Sequence, residues 1–169
     1  PDLRPAGERF FVRSEAGEDV PLRRIRLSDT PECFGGGRNP DFFMTDVTGG
    51  YGAADAGETV ELVRRERPEP GSPTQLAAAR AGVVTPEMAY AAARENANLE
   101  GFAASLSEPG LERVRDRLMP LLERVEPWTG ERVRARVAAR QAVIPAAFTH
   151  PEVEPTVIGR HFATKVNAN

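Results

Sequence analysis

Disulfide bonding is the first thing this sequence excludes. Its 169 residues include one cysteine, Cys33, so no internal disulfide forms, and one thiolate does not by itself hold a structural zinc or an iron–sulfur cluster. Histidine is nearly as scarce. His150 and His161 have no carboxylate or cysteine at helical or hairpin ligand spacing, so each reads as a hydrogen-bonded structural residue, not as part of a metal site. No apolar run approaches the length of a membrane span, and the opening PDLRPAGERF lacks the charged start and apolar core of a signal peptide; a cytoplasmic chain with no membrane partner is expected. A block of one charge is also missing. The net charge is -3, with 22 Lys and Arg spread among 25 Asp and Glu, and this lacks the basic footprint of a nucleic-acid binder. Lysine is confined to Lys165, and arginine supplies the remaining positive charge.

What remains is an ordinary globular composition, 40% apolar and 28% charged, at a length that suits one domain with a hydrophobic core. Residues 1–73 form an irregular, strand-containing N-terminal segment rich in Gly, Pro and charge. Short strands are expected at Phe10 to Val12, at Leu22 to Leu27 as an edge strand, at Asp41 running into a Thr48-Gly49-Gly50 turn, and at Glu58 to Arg65. The run from Arg67 to Pro73 is a linker by composition. Gly35-Gly36-Gly37 lacks the Lys, Ser/Thr and following helix of a phosphate-binding loop, and reads as a flexible loop.

Residues 74–141 form a helical segment. Thr85-Pro86-Glu87 supplies a cap, a first-turn proline and an acid at the positive end of the helix dipole, and the helix runs to Asn96 or beyond on a thin, alanine-rich apolar face. Leu111, Val114, Leu118, Leu122 and Val125 share one stripe of a second helix, a pattern most simply read as core, with Pro120 expected to kink or split it. A third helix runs from Thr129 to about Arg140, its arginines forming a solvated face. Residues 142–169 turn to β pattern: Ala142-Val143-Ile144, a loop through His150-Pro151-Glu152, Thr156-Val157-Ile158, and a final buried strand from Phe162 to Val166. The fold class is therefore α+β.

The chemistry is sparse. Ser28 has no neighbouring base and reads as a turn cap, while Glu152 and Glu154 flank a proline-rich loop and read as solvated acids. Asn167 and Asn169, two amides at i and i+2 of a strand end, project the same way. They either begin a polar turn or supply substrate contacts, as strand C-termini do in α/β barrels. These residues do not identify a reaction.

A resemblance does. Thr85-Pro86-Glu87-Met88, Arg94-Glu95-Asn96, and above all Arg140 through Asn169, with its His150-Pro151-Glu152-x-Glu154-Pro155-x-x-Ile158-Gly159-Arg160 string, resemble the phosphomethylpyrimidine synthase (ThiC) family. Asp46-Val47-Thr48-Gly49-Gly50-Tyr51 is similar to that family's Asp-Thr-Ser-Gly-Pro-Tyr turn. The chain departs from the pattern at Ala147-Phe148-Thr149 and at His161. The resemblance implies a radical S-adenosylmethionine enzyme that converts aminoimidazole ribotide to the hydroxymethylpyrimidine phosphate of thiamine. The implied architecture is a (βα)8 barrel preceded by an N-terminal domain, with residues 142–169 as its opening strands, not completed in this chain. Three closely spaced cysteines hold a [4Fe–4S] cluster in that family and late histidines hold a divalent metal such as zinc; no residue here matches either set. Asn169 is the one substrate contact carried over, and a homodimer is expected. The chain alone is expected to be inactive, marginally soluble and poorly protected from hydrogen exchange after Thr156. The alternatives are a non-catalytic association domain for a separately encoded barrel, and part of a sister hydroxybenzimidazole synthase.

Overall fold

The computed structural model describes residues 7–45, 71, 73–144, 157–160 and 162. Its first layer is an antiparallel sheet. Strand β1 (Glu8–Arg13) and strand β2 (Asp19–Ile25) form a hairpin whose loop closes through Gly17 N to Ser14 O and Ser14 N to Glu18 O. Gly17 sits at φ 82°, the left-handed position that such a hairpin loop gives to glycine. Strand β3 (Phe42–Thr45) pairs with the other side of β2. The order β1-β2-β3 makes β2 the central strand, where the sequence pattern suggested an edge. Alternation was masked because the chain places arginines on both faces: Arg23 is itself buried and donates to Gly7 O, while Val20 and Leu22 are fully covered on the opposite face.

Two short helices and two longer ones form the second layer: α1 (Gln75–Arg80), α2 (Pro86–Ser105), α3 (Glu112–Leu122) and α4 (Gly130–Ala138). Thr85 caps α2 with its hydroxyl accepting from Met88 N, and Pro86 stands at the first helical position, as the sequence pattern predicts. Helix α1 carries no long apolar period and was not anticipated as an element. It is fixed from outside: Thr85 Oγ1 donates to Gln75 Oε1 at 2.7 Å, and Gln75 Nε2 donates to Glu87 Oε2 at 2.9 Å.

The alanines of α2 let it approach neighbours on two sides. Tyr90 and Ala97 pack with Val20 and Leu22 under the sheet. Met88, Ala91 and Ala92 join Trp128, Val133 and Val137 in a second cluster. Helix α3 behaves differently from its stripe. It runs unbroken through Pro120, contains no buried residue, and leaves Leu121 and Val125 about half exposed. Pro120 lies two residues from the C-terminus, where losing one N–H and crowding one carbonyl does little to a helix about to end.

Strands β4 (Ala142–Val143) and β5 (Ile158–Gly159) close the described chain as an antiparallel pair. Neighbouring strands of a (βα)8 barrel run parallel, so this pair is not two adjacent barrel strands. At the start of the segment after Thr156, Val157 and Phe162 are buried in the second core, while Ile158 between them is half-exposed. The expected Thr48-Gly49-Gly50 turn, the Glu58 to Arg65 strand, the His150 loop and the last strand beyond Phe162 lie outside the described residues.

Candidate functional site

The residues that carry the family motifs are far apart in sequence and meet around the second core. Met88, Ile144, Val157 and Phe162 all belong to it. At the middle of α2, Arg94 and Glu95 are buried, with the guanidinium 3.8 Å from the carboxylate; ions taken this far from water persist only as partners. Asn96, the next residue, bonds across 32 positions of sequence. Its Nδ2 donates to Trp128 O at 2.8 Å and its Oδ1 accepts from Trp128 N at 2.7 Å. One amide thus completes both backbone groups of a buried aromatic residue, as a strand partner would. The Trp128 ring stacks on Phe162 with centroids 4.2 Å apart and planes at 25°, and the Arg132 guanidinium lies 4.5 Å over the same ring. Arg132 also donates to Glu126 O and Pro127 O.

The exit from α4 is shaped by Arg140, at φ 57°. Arg140 N bonds to Val137 O and Gln141 N to Arg136 O, a helix closure in which the left-handed residue is usually glycine. Gly159 answers a tighter need, because β5 crosses β4 with Gln141 O within 2.8 Å of where a Cβ would lie.

A second polar cluster ties the sheet to the α2–α3 turn. Glu108 accepts from Arg24 at 2.7 Å and from Arg38, and Arg26 lies at 3.5 Å. Asp41, almost wholly buried, accepts from Arg24 at 2.5 Å. That bond to Asp41 is the main reason the Arg24 pKa is raised. Each carboxylate here faces an arginine, so the cluster is a clasp that leaves no carboxylate unpaired. Beside it an open cleft of about 680 Å³ is lined by Gly35 to Gly37, Arg38, Glu112 and Arg113. Two N–H groups of its glycine turn are already taken, Gly35 N by Glu32 O and Gly36 N by Pro31 O.

Asn169, Asn167, His150, His161, Glu152 and Glu154 lie outside the described residues. Ser28 contributes its carbonyl, which accepts from Asn39, and Cys33 is exposed on a single 3₁₀ turn, Glu32–Phe34. Among the described residues no three His, Cys, Asp or Glu side chains gather where a metal would bind. A [4Fe–4S] cluster needs several thiolates and the sequence has one cysteine, so this chain's residues do not fit the cluster. The residues that sequence reasoning missed are Trp128 and the role of Asn96. The long separation of the pair leaves no periodic signal, and only the Arg-Glu-Asn string drew attention to Asn96.

A profile described as the radical SAM ThiC family matches residues 74–169, more than half of the chain, and defines its class as that of the radical S-adenosylmethionine enzymes. The chain belongs to the ThiC family of that class. The family is one of thiamine-pyrimidine synthesis, and full-length members use a [4Fe–4S] cluster and S-adenosylmethionine. Among the described residues no helix is long and apolar enough to cross a membrane.

Proposed function

We propose that this chain forms part of a phosphomethylpyrimidine synthase acting on aminoimidazole ribotide and yielding hydroxymethylpyrimidine phosphate, with Asn169 contacting the ribotide. The observation that carries this reading is the family match over residues 74–169. An amide at Asn169 both donates and accepts, which suits an imidazole or ribose group. In this reading residues 142–169 lead into the (βα)8 barrel, and the thiolates and any zinc ligands come from residues outside this sequence. The cluster, when bound, supplies the electron that cleaves S-adenosylmethionine to a radical. This chain's residues contribute scaffold and ribotide contact.

The test is anaerobic reconstitution of the gene product that carries this sequence with iron, sulfide, S-adenosylmethionine, reductant and synthetic aminoimidazole ribotide. Mass spectrometry is expected to detect hydroxymethylpyrimidine phosphate, with Asn169→Ala lowering kcat/KM by about tenfold to a hundredfold, as loss of a hydrogen bond to a polar substrate group does. Hydroxybenzimidazole as product would replace this reading with the sister activity. No turnover of the ribotide to either product would overturn it.

A further inference from the structure

Helix α3 buries no residue of its own, and its charges are sorted instead of mixed. At about 3.6 residues per turn, Arg117 stands one turn beyond Arg113 and Arg124 two turns beyond that. The winding continues past Leu122, with Arg124 N bonded to Leu121 O and Val125 N to Leu122 O. All three arginines are exposed, and none has a side-chain partner among the described residues. Glu112, Asp116 and Glu123 lie on a separate stripe, where Glu112 already accepts from Gly110 N and Asp116 pairs with Arg115. Between the arginine stripe and the half-buried Val114, Leu118 and Leu122 come Leu121, 57% exposed, and Val125, 43% exposed. An uncompensated basic stripe therefore runs beside an apolar margin.

The Arg113 end of that stripe is open. Arg113 and Val114 line the cleft of about 680 Å³ that is also lined by Gly35 to Gly37 and Arg38, and a Cβ built on Gly35 or Gly37 would meet nothing within 4 Å. From Arg113 to Arg124 the helix covers about 17 Å at 1.5 Å per residue, so these cations do not converge on one small anion. Their complement is an extended run of negative charge. A phosphate backbone supplies the charge but leaves Leu121 and Val125 uncovered, and an anionic lipid surface would be repelled by the neighbouring Glu112, Asp116 and Glu123. A polypeptide supplies both carboxylates and side chains to bury.

We propose that α3 is a docking surface for an acidic segment of another protein, whose carboxylates meet Arg113, Arg117 and Arg124 and whose apolar side chain covers Leu121 and Val125. None of these residues belongs to the family motifs, so the surface is independent of the synthase reading.

The probe is a short fluorescein-labelled peptide of glutamates with two leucines, titrated into the gene product that carries this sequence and followed by fluorescence anisotropy. Arg117→Glu combined with Arg124→Glu is expected to raise Kd about tenfold, because two attractions become repulsions. Leu121→Ser should raise it about fivefold by removing the apolar contact. Arg80→Glu, on the exposed end of α1, should leave Kd within about twofold of the parent, its charge being screened from α3. Far-ultraviolet circular dichroism should be the same in all variants. If charge reversal unsettles the helix, Arg117→Gln with Arg124→Gln replaces it and should raise Kd by a smaller factor. Rising salt should weaken binding by the parent more than by the double variant.

Equally tight binding of the same peptide with Gln for Glu, or with Ser for Leu, would overturn the proposal, as would a Kd unmoved in the α3 variants. Tighter binding of phosphatidylserine vesicles or of duplex DNA than of the peptide would overturn it in favour of a lipid surface or a nucleic acid. Halving of the sedimenting mass in the double variant would overturn it in favour of a second copy of this chain.

Discussion

A methyl group added to Gly159 would lie 2.8 Å from Gln141 O, 2.9 Å from Ala142 Cβ and 3.0 Å from Ala142 Cα. Two of these three neighbours are backbone atoms that cannot rotate away, so the β4–β5 crossing must open. Gly159→Ala is accordingly expected to cost about 1–3 kcal/mol, the range for overpacking a well-filled site, read as a lower midpoint in thermal or urea unfolding. An unchanged midpoint would mean that the two strands separate freely. The residue scale also shows what a sequence can and cannot disclose. Gly159 was visible as part of an Ile-Gly-Arg string, but the reason for glycine is a neighbour from the other side of a long connection. Asn96 was visible in the same way, and its partner Trp128 was not, because a hydrogen bond across 32 positions leaves no periodic trace. The α2 cap, by contrast, was legible outright, since a helix start depends on four consecutive residues and little else.

Among the elements, α3 departs furthest from its pattern. Its apolar stripe reads as core, yet Leu111, just before the helix, is the one fully covered member; Val114, Leu118 and Leu122 are half-buried and Val125, just after it, is exposed. Periodicity reports that a helix has two faces; it does not say which surface the apolar one meets. The helix starts on a carboxylate instead of a hydroxyl cap: Glu112 Oε1 accepts from Gly110 N at 3.1 Å. Bonds from its own backbone N–H, then from Gly110, hold the Glu112 carboxyl below the ordinary carboxylate range. In α4 the hydrogen bonds from Arg134 hold Glu131 low in the same way. A carboxyl whose folded pKa is depressed lends stability that is complete above its unfolded pKa, about 4.3, and is lost as pH falls through the lower folded value. Helix content followed from neutral pH downwards should therefore begin to fall below about pH 4, and Glu112→Gln with Glu131→Gln should flatten that part of the curve. Both groups are solvent-exposed, so the effect should shrink in high salt. An unaltered acid limb in the double variant would show that neither carboxylate contributes.

At the scale of the molecule, two cores share one helix. Helix α2 is the wall of the cluster under the sheet and of the cluster that seats the end of the described chain, while the Glu108 and Asp41 clasp binds the sheet to the turn that follows it. Single exposed ion pairs contribute little, but Glu108 is only 28% exposed and meets three arginines, so this clasp acts as a network. The expected homodimer belongs to this scale. Sedimentation of the purified chain should give twice the 18.4 kDa mass, and a single species at the monomer mass across the micromolar range would rule that assembly out. The antiparallel pairing of β4 with β5 has one more consequence. It pins Ile144 and Val157 in the same core, so residues 145–156 span two fixed points, and the entropy of closing such a span grows only with the logarithm of its length, about 0.6 kcal/mol per doubling. The contact between Ile144 and Val157 is therefore non-local, and its closure entropy must be met before packing rewards it, which is the kind of contact that slows folding.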